Sequence, residues 1–151
     1  MSEIPNTAEI LSRYNHDRDN LMCILHEIND SRGNISEKDM QEIASHLHIS
    51  PTDVYGTATF YSFLNTEPKG RYVVRLCKSL SCDMAGKQAV AVSLEHAAGT
   101  TFGKTSADGR FTLEYANCMG WCDQGPAMLV NQEVHTRLTP EKVTEILSQL
   151  K

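Results

Sequence analysis

Two short β-like runs each lead into a pair of cysteines, and this repetition constrains the fold more than any other feature of the chain. Residues 71–76, RYVVRL, run into Cys77 and Cys82, and residues 111–117, FTLEYAN, run into Cys118 and Cys122. Loops at the ends of two strands can meet if the strands share a sheet. Four thiolates meeting at one point make a metal site.

The spacing is C-x4-C, a gap of 35 residues, then C-x3-C. Structural zinc sites usually place roughly two to four residues between paired ligands, so both loops are at or near the long end for a single ion. A 2Fe–2S rhombus has two irons, each needing two cysteines, and wider loops fit around the larger object. The residues favour the cluster, with zinc as the other metal and two disulfides in an extracellular chain as a third reading. The opening residues, MSEIPNTAEI, are polar and acidic, with no basic n-region and no Arg-rich transit pattern. Clustered cysteines in such a chain more often bind metal or do redox chemistry than form structural disulfides. A bacterial-type cytoplasmic chain is the expectation. The fifth cysteine, Cys23, lies off the stripe of Leu21, Ile24, Leu25 and Ile28 but inside an apolar stretch. It reads as an ordinary, partly buried thiol.

With 151 residues, the chain has room for one domain and an appendage, or two small domains. Hydrophobic residues make up 40% and charged residues 22%, and no apolar run approaches the roughly 18 residues of a membrane span, so no direct membrane insertion is expected. A net charge of −5 argues against a nucleic-acid partner.

The first part of the chain follows helical spacing. A short helix fits residues 7–14, and Leu21, Ile24, Leu25 and Ile28 mark one face of the next, with Gly33 as its stop. Ser36 and Asp39 form a capping box for a third helix with Met40, Ile43, Ala44 and Leu47 on its apolar face. His48 and Ile49 turn the chain. Ser50 caps a fourth helix, with Pro51 in its first position and Val54, Ala58 and Tyr61 along its buried side. The polar NTEPKG, residues 65–70, breaks this pattern. Beyond it come a strand at 71–76, a helix over 82–98 packing through Ala85, Ala89, Val92 and Leu94, and a loop at 99–110. A strand at 111–117, a hairpin of 127–131 with 133–138, and a helix capped by Thr139 with Val143, Ile146, Leu147 and Leu150 as its stripe complete the chain. The expected fold class is α/β: a helical bundle over residues 1–65 followed by a thioredoxin-like domain over 66–151. Cys82 opens the helix in this reading, so free backbone N–H groups there would hydrogen-bond cluster and cysteine sulfurs. Gly120 and Gly125 would let the second loop approach closely.

With these residues in hand, the chain resembles the thioredoxin-like 2Fe–2S ferredoxin family, and within it the small subunit of NADH-oxidising complexes. Such complexes include NADH:quinone oxidoreductase, NAD-linked or electron-bifurcating iron-only hydrogenases and NAD-linked formate dehydrogenases. The stretches that carry the resemblance are LMCILHEINDSRGNIS, DVYGTATFYSFLNTEPKGRYVVRLC, the two cysteine pairs, GPAMLVN and RLTPEKVTEIL, covering residues from about 20 to 150. The resemblance implies that Cys77, Cys82, Cys118 and Cys122 hold one 2Fe–2S cluster. It implies a flavin- and NADH-binding iron–sulfur partner, on which FMN and NADH reside and on which the N-terminal helices dock, with further iron–sulfur or catalytic subunits. The chain itself would have no catalytic residues and would exchange single electrons with the partner's FMN. Family members often carry a small residue where this chain has Trp121, and Gly-x-Ala-Pro where it has Asp123-Gln124-Gly125-Pro126. Those departures bear on the potential and exposure of the cluster. A free-standing ferredoxin or redox sensor is the alternative, and a zinc-stabilised DNA-binding protein a remoter one.

Other motifs carry less. IASHLHISPTDVYG has the spacing of a helix-turn-helix, but its second helix holds no Lys or Arg to grip a phosphate. GTTFGKT lacks the glycine that a phosphate loop needs, since Ala98 stands there. The six histidines show no ligand spacing, and His46 and His48, two apart on a helix, point in different directions. Arg71, Arg75, Lys78 and Lys87 lie near the first cysteine pair, as a solvated face or one for an acidic partner.

Overall fold

The change from helical to strand grammar coincides with a division of the chain into two compact units, Met1–Pro68 and Lys69–Lys151. The structure, a computed structural model, describes residues 5–150. Residues 1–4, part of the opening stretch read above as leaderless, lie outside the described set.

In the first unit α1 spans Thr7–Leu11, shorter than expected, because Ser12 caps it. A single 3-10 turn, Arg18–Asn20, leads into α2, Leu21–Arg32, whose buried face is the predicted Leu21, Ile24, Leu25 and Ile28. Gly33 ends α2 in the left-handed conformation. The capping box of Ser36 and Asp39 opens α3, Glu37–Leu47. The Ser50 side chain accepts from the Thr52 N–H at the start of α4, Pro51–Phe60. One core joins Ile10, Ile24, Leu25, Ile28, Ile35, Ile43, Leu47 and Val54.

Three expectations for this unit are corrected. Tyr61 is 46% exposed, because the chain leaves the helix there for extended backbone. Cys23 is exposed, since it stands on α2 away from the apolar stripe that meets the core. His46 and His48 do not diverge. His48 adopts a left-handed conformation (φ 54°), and both rings sit against His16, with centroids 4.4 and 5.5 Å away. His16 Nδ1 donates to the His46 carbonyl (2.7 Å) and His46 Nε2 to that of Tyr14 (3.0 Å), so two of the three rings tie the segment before α2 to the end of α3.

The second unit is the expected α/β layer. A four-stranded sheet runs in the order β2-β1-β3-β4, with β1 Tyr72–Cys77, β2 Phe111–Ala116, β3 Met128–Val130 and β4 Glu133–His135. β1 and β2 are parallel, and β1–β3 and β3–β4 are antiparallel. Between β1 and β2 the chain crosses through α5, Leu80–Met84, and α6, Lys87–Ala98. After β4 it closes with α7, Pro140–Gln149. Val74, Leu76, Leu113, Met128 and Val130 of the sheet pack on Val90, Leu94, Val143 and Leu147 of α6 and α7.

The single helix expected over 82–98 is two. Gly86 takes a positive φ (98°) and interrupts it, which resets the helical phase. The buried side of α6 is therefore Val90, Ala91, Leu94 and Ala98, while Val92 is 60% exposed and Ala85 and Ala89 are also exposed. Arg75 is not a surface cation. It is buried on the sheet, its Nε 3.2 Å from Glu114 of β2, which also meets Lys69 at 2.9 Å. Lys87 is paired with Asp83 at 2.9 Å. Among the described residues no helix is long and apolar enough to cross a membrane.

Candidate metal centre

Strand register brings the two cysteine loops together. β1 and β2 run parallel with Cys77 paired to Ala116, so both chains leave the sheet at the same edge, and Cys118 follows two residues later. β3 runs the other way, with Met128 opposite Leu76, so the segment just before it, Gly125 to Ala127, arrives at that edge too. The Cys77 N–H donates to the Ala127 carbonyl at 3.0 Å. Cys77, Cys82 and Ala127, with Met119 against them, form a small core of their own.

The two pairs have opposite surroundings. Cys77 is 2% and Cys82 1% exposed, whereas Cys118 and Cys122 are exposed. Cys118 Sγ and Cys122 Sγ lie 3.1 Å apart. Gly120, at φ 89°, lets the loop fold Cys122 back on Cys118. The 3-10 turn Cys122–Gln124 holds the end of this loop. Gln124 fixes the turn to the strand-end segment beyond β4, because its carbonyl accepts from the Arg137 N–H (2.7 Å) and its side chain from Thr136 (3.3 Å).

Each sulfur's surroundings follow from these neighbours. Burial alone would push the Cys77 thiol up, yet the Ser79 hydroxyl and N–H, the Cys82 thiol and the Met119 N–H together hold it below the ordinary thiol value. The Ser79 hydroxyl is 3.2 Å from Cys77 Sγ. Burial pushes Cys82 up, and Cys77 adds to this against the Ala127 N–H. Cys122 is also raised, first by its hydrogen bond with Cys118 and then by that thiol's charge, with a further contribution from Cys82 and an opposing one from the Ser81 hydroxyl. Ser81 and Cys82 thus belong to one loop and Cys122 to the other, and they interact across the gap between them.

The donor set fits a dinuclear cluster. Thiolates are soft donors suited to iron–sulfur ligation, and they stand in two pairs, as two irons need. The wall beside Cys82 is bare backbone: a Cβ on Gly125 would come within 3.3 Å of Cys82 Sγ and 3.4 Å of the Ala85 Cβ. Gly125 thus lets the backbone of the second loop pass close to Cys82. Cys82 is the third residue of α5 rather than its first, still within the turn whose N–H groups lack helical partners. The N–H donors to the sulfurs are those of Ser79, the N-cap of α5, and of Met119 and Ala127. The serines were not singled out in the sequence. Their signal is that KSLS inserts two hydroxyl residues between the first two cysteines. Trp121 is 38% exposed beside Cys122, so it does not fill a core position.

A model of the thioredoxin-like 2Fe-2S ferredoxin family matches residues 7–151. The alpha chain of the NAD-reducing hydrogenase HoxS of Cupriavidus necator is 41% identical over 142 residues, 94% of this chain and 24% of the relative. One component of the NADH-quinone oxidoreductase of Escherichia coli K12 is 40% identical over 124 residues, 82% of this chain and 75% of the relative. The chain thus spans about a quarter of the hydrogenase protein it matches and three quarters of the quinone oxidoreductase one. Among solved structures, an H2-reduced NAD+-reducing NiFe hydrogenase superposes with a TM-score of 0.78 at 25% identity, over 89% of this chain and 22% of that one.

Proposed function

The chain belongs to the thioredoxin-like 2Fe–2S ferredoxin family, and we propose on that premise that it is the electron-transfer subunit of an NADH-oxidising complex. The family's 2Fe–2S cluster is this chain's cofactor. In this reading Cys77, Cys82, Cys118 and Cys122 would hold one such cluster, the buried pair on one side of it and the exposed pair on the other. The single observation that carries it is the convergence of these two pairs at the shared edge of β1 and β2. When bound, the cluster supplies one-electron transfer, which a two-electron hydride donor needs a flavin to connect to. FMN and NADH would reside on the partner subunit, with further iron–sulfur or catalytic subunits beyond it; the names of the relatives support the link to the nicotinamide nucleotide and to a complex of several subunits. The side chains of this protein then bind and tune and do no bond chemistry. Cys77 and Cys82 shut water from one side. Hydrogen-bond donors from Ser79, Ser81, Met119 and Ala127 favour added negative charge on the sulfurs. The exposed side, at Cys118 and Cys122, is left open for electron exchange.

The N-terminal unit serves as the docking appendage. Tyr55, Phe60 and Tyr61, on α4 and at its end, are 56%, 79% and 46% exposed, and Phe60 and Tyr61 meet edge-on at 5.0 Å. Exposed aromatics this close together support a protein interface. The test is low-temperature EPR on anaerobically purified protein, with iron and acid-labile sulfide counted, and co-purification with a flavoprotein. A signal appearing only on reduction, with about two irons and two sulfides per chain, is the expected result. A colourless zinc protein overturns the reading.

Ser79→Ala tests the tuning. Losing the hydroxyl 3.2 Å from Cys77 Sγ removes a hydrogen bond worth about 0.5–1.5 kcal/mol, or roughly 20–60 mV for one electron. The midpoint potential falls by that amount in a redox titration followed by EPR, while the iron content is unchanged. An unmoved potential would show that the hydroxyl does not donate to the site.

A further inference from the structure

The reading of the four cysteines as cluster ligands leaves open what they do when the cluster is absent, and on this the two pairs differ. Both are close pairs: Cys118 Sγ and Cys122 Sγ are 3.1 Å apart, and Cys77 and Cys82 sit together in one small buried core. Proximity therefore does not discriminate between them. Access does. Thiol–disulfide exchange needs an incoming disulfide to reach a sulfur in line, so reaction follows exposure. Cys118 and Cys122 are exposed, while Cys77 and Cys82 are buried among Ala127 and Met119. The loop carrying the exposed pair is already bent for closure by Gly120 at φ 89°.

We propose that Cys118 and Cys122 are a redox-modification site of the cluster-free chain, closing to a disulfide that blocks cluster loading until it is reduced. The inference rests on the ligand assignment above. The oxidant is a low-molecular-weight disulfide such as oxidised glutathione. The thiolate of one of the two cysteines attacks a sulfur of that disulfide, whose S–S bond breaks and releases one thiolate. The thiolate of the second cysteine attacks the protein sulfur of the mixed disulfide, forming the Cys118–Cys122 bond and releasing the second small thiolate. Two protein thiols are oxidised, one disulfide is reduced to two thiols, and the protons of the cysteines pass to the leaving thiolates. Cys23 is exposed too but stands in α2, in the other unit. No second cysteine lies in that unit, so an adduct there has no resolving thiol within it. Cys77 and Cys82 remain thiols, so the oxidised chain keeps half its ligands ready.

The experiment uses the full chain with its iron chelated away anaerobically, exposed to oxidised glutathione, alkylated, and mapped by mass spectrometry without reduction. The expected map shows a Cys118–Cys122 crosslink with Cys77 and Cys82 alkylated. Supplying iron and sulfide to a parallel sample, oxidised in the same way but not alkylated, gives no visible cluster absorbance, and adding dithiothreitol first restores it. A crosslink between any other pair, or four free thiols, overturns the proposal, as does full loading of the crosslinked chain. Two double variants guard against loss of structure in the cluster-free chain. Cys77→Ser/Cys82→Ser forms the disulfide, and Cys118→Ser/Cys122→Ser forms none; equal crosslinking in both would mean that burial confers no selectivity. The ligand assignment fails separately: it falls if the fully reduced chain takes up no cluster at all.

Discussion

Serine in place of Cys77, Cys82, Cys118 or Cys122 abolishes stable cluster binding, and serine in place of Cys23 leaves it intact. Each iron of a four-cysteine 2Fe–2S cluster depends on two thiolates, and a serine oxygen is a harder donor that suits iron–sulfur chemistry less. Loss of a partner that merely orients a metal ligand costs roughly 10–100-fold in affinity, and loss of the ligand itself costs more. The four variants fail for partly different reasons. At Cys77 and Cys82, 2% and 1% exposed, the smaller serine side chain also loosens the packing against Ala127 and Met119. At the exposed Cys118 and Cys122 only the ligand is lost. Visible absorbance with iron and sulfide per chain reads the outcome in all five proteins. A bleached Cys23→Ser, or a full complement of iron in any of the other four, would sink the assignment.

The parts of this fold legible in the sequence are those dictated by local physics. The stripe Leu21, Ile24, Leu25, Ile28 and the caps at Ser36 and Ser50 are local, and the structure keeps them. The apolar run that makes β1 is local too, and the meeting of Cys77 with the end of β2 follows once the strands are parallel neighbours. What escaped depends on single backbone angles. Gly86 at φ 98° divides one expected helix into two, and this moves the buried face from Val92 to Val90 and Ala91. His48 at φ 54° swings its ring back beside His16. Neither angle has a signature in hydrophobic spacing, since glycine is tolerated within helices and histidine takes positive φ only occasionally. The donors at the cluster edge escaped for the same reason. Once α5 begins at Leu80 rather than Cys82, the sulfur partners come from Ser79 and from the opposite loop. Arg75 was misplaced because its partner, Glu114, is 39 residues away and meets it only across the sheet register.

Asp39→Ala destabilises the helical unit by about 2–4 kcal/mol. Asp39 is 3% exposed, and its carboxylate is a hub. It accepts from the Ser36 N–H (2.8 Å), the Ser36 hydroxyl (2.7 Å), the Arg32 guanidinium (3.0 Å) and the Thr7 hydroxyl. These bonds tie α1, the end of α2 and the start of α3 to one side chain. Loss of the capping-box carboxylate costs about 0.5–2 kcal/mol. Removing one partner of a buried ion pair costs about 3–5 kcal/mol. The Arg32 side chain is 27% exposed, so water recovers part of that second cost. Asp39→Asn keeps the shape and some of the hydrogen bonds, and its loss is smaller. The pH dependence has a definite sign. Burial raises the Asp39 carboxyl, but Ser36, Thr7 and Arg32 outweigh it and hold the group below the usual carboxylate range. A depressed folded value means that the stabilisation is fully present above the unfolded value and is lost as pH falls through the folded one. Wild type and Asp39→Asn therefore differ most at neutral pH, and the gap closes only in strong acid. Urea unfolding followed by far-UV circular dichroism, at neutral pH and in acid, measures both. A gap that stayed constant with pH would mean that the carboxylate contributes shape alone and not charge.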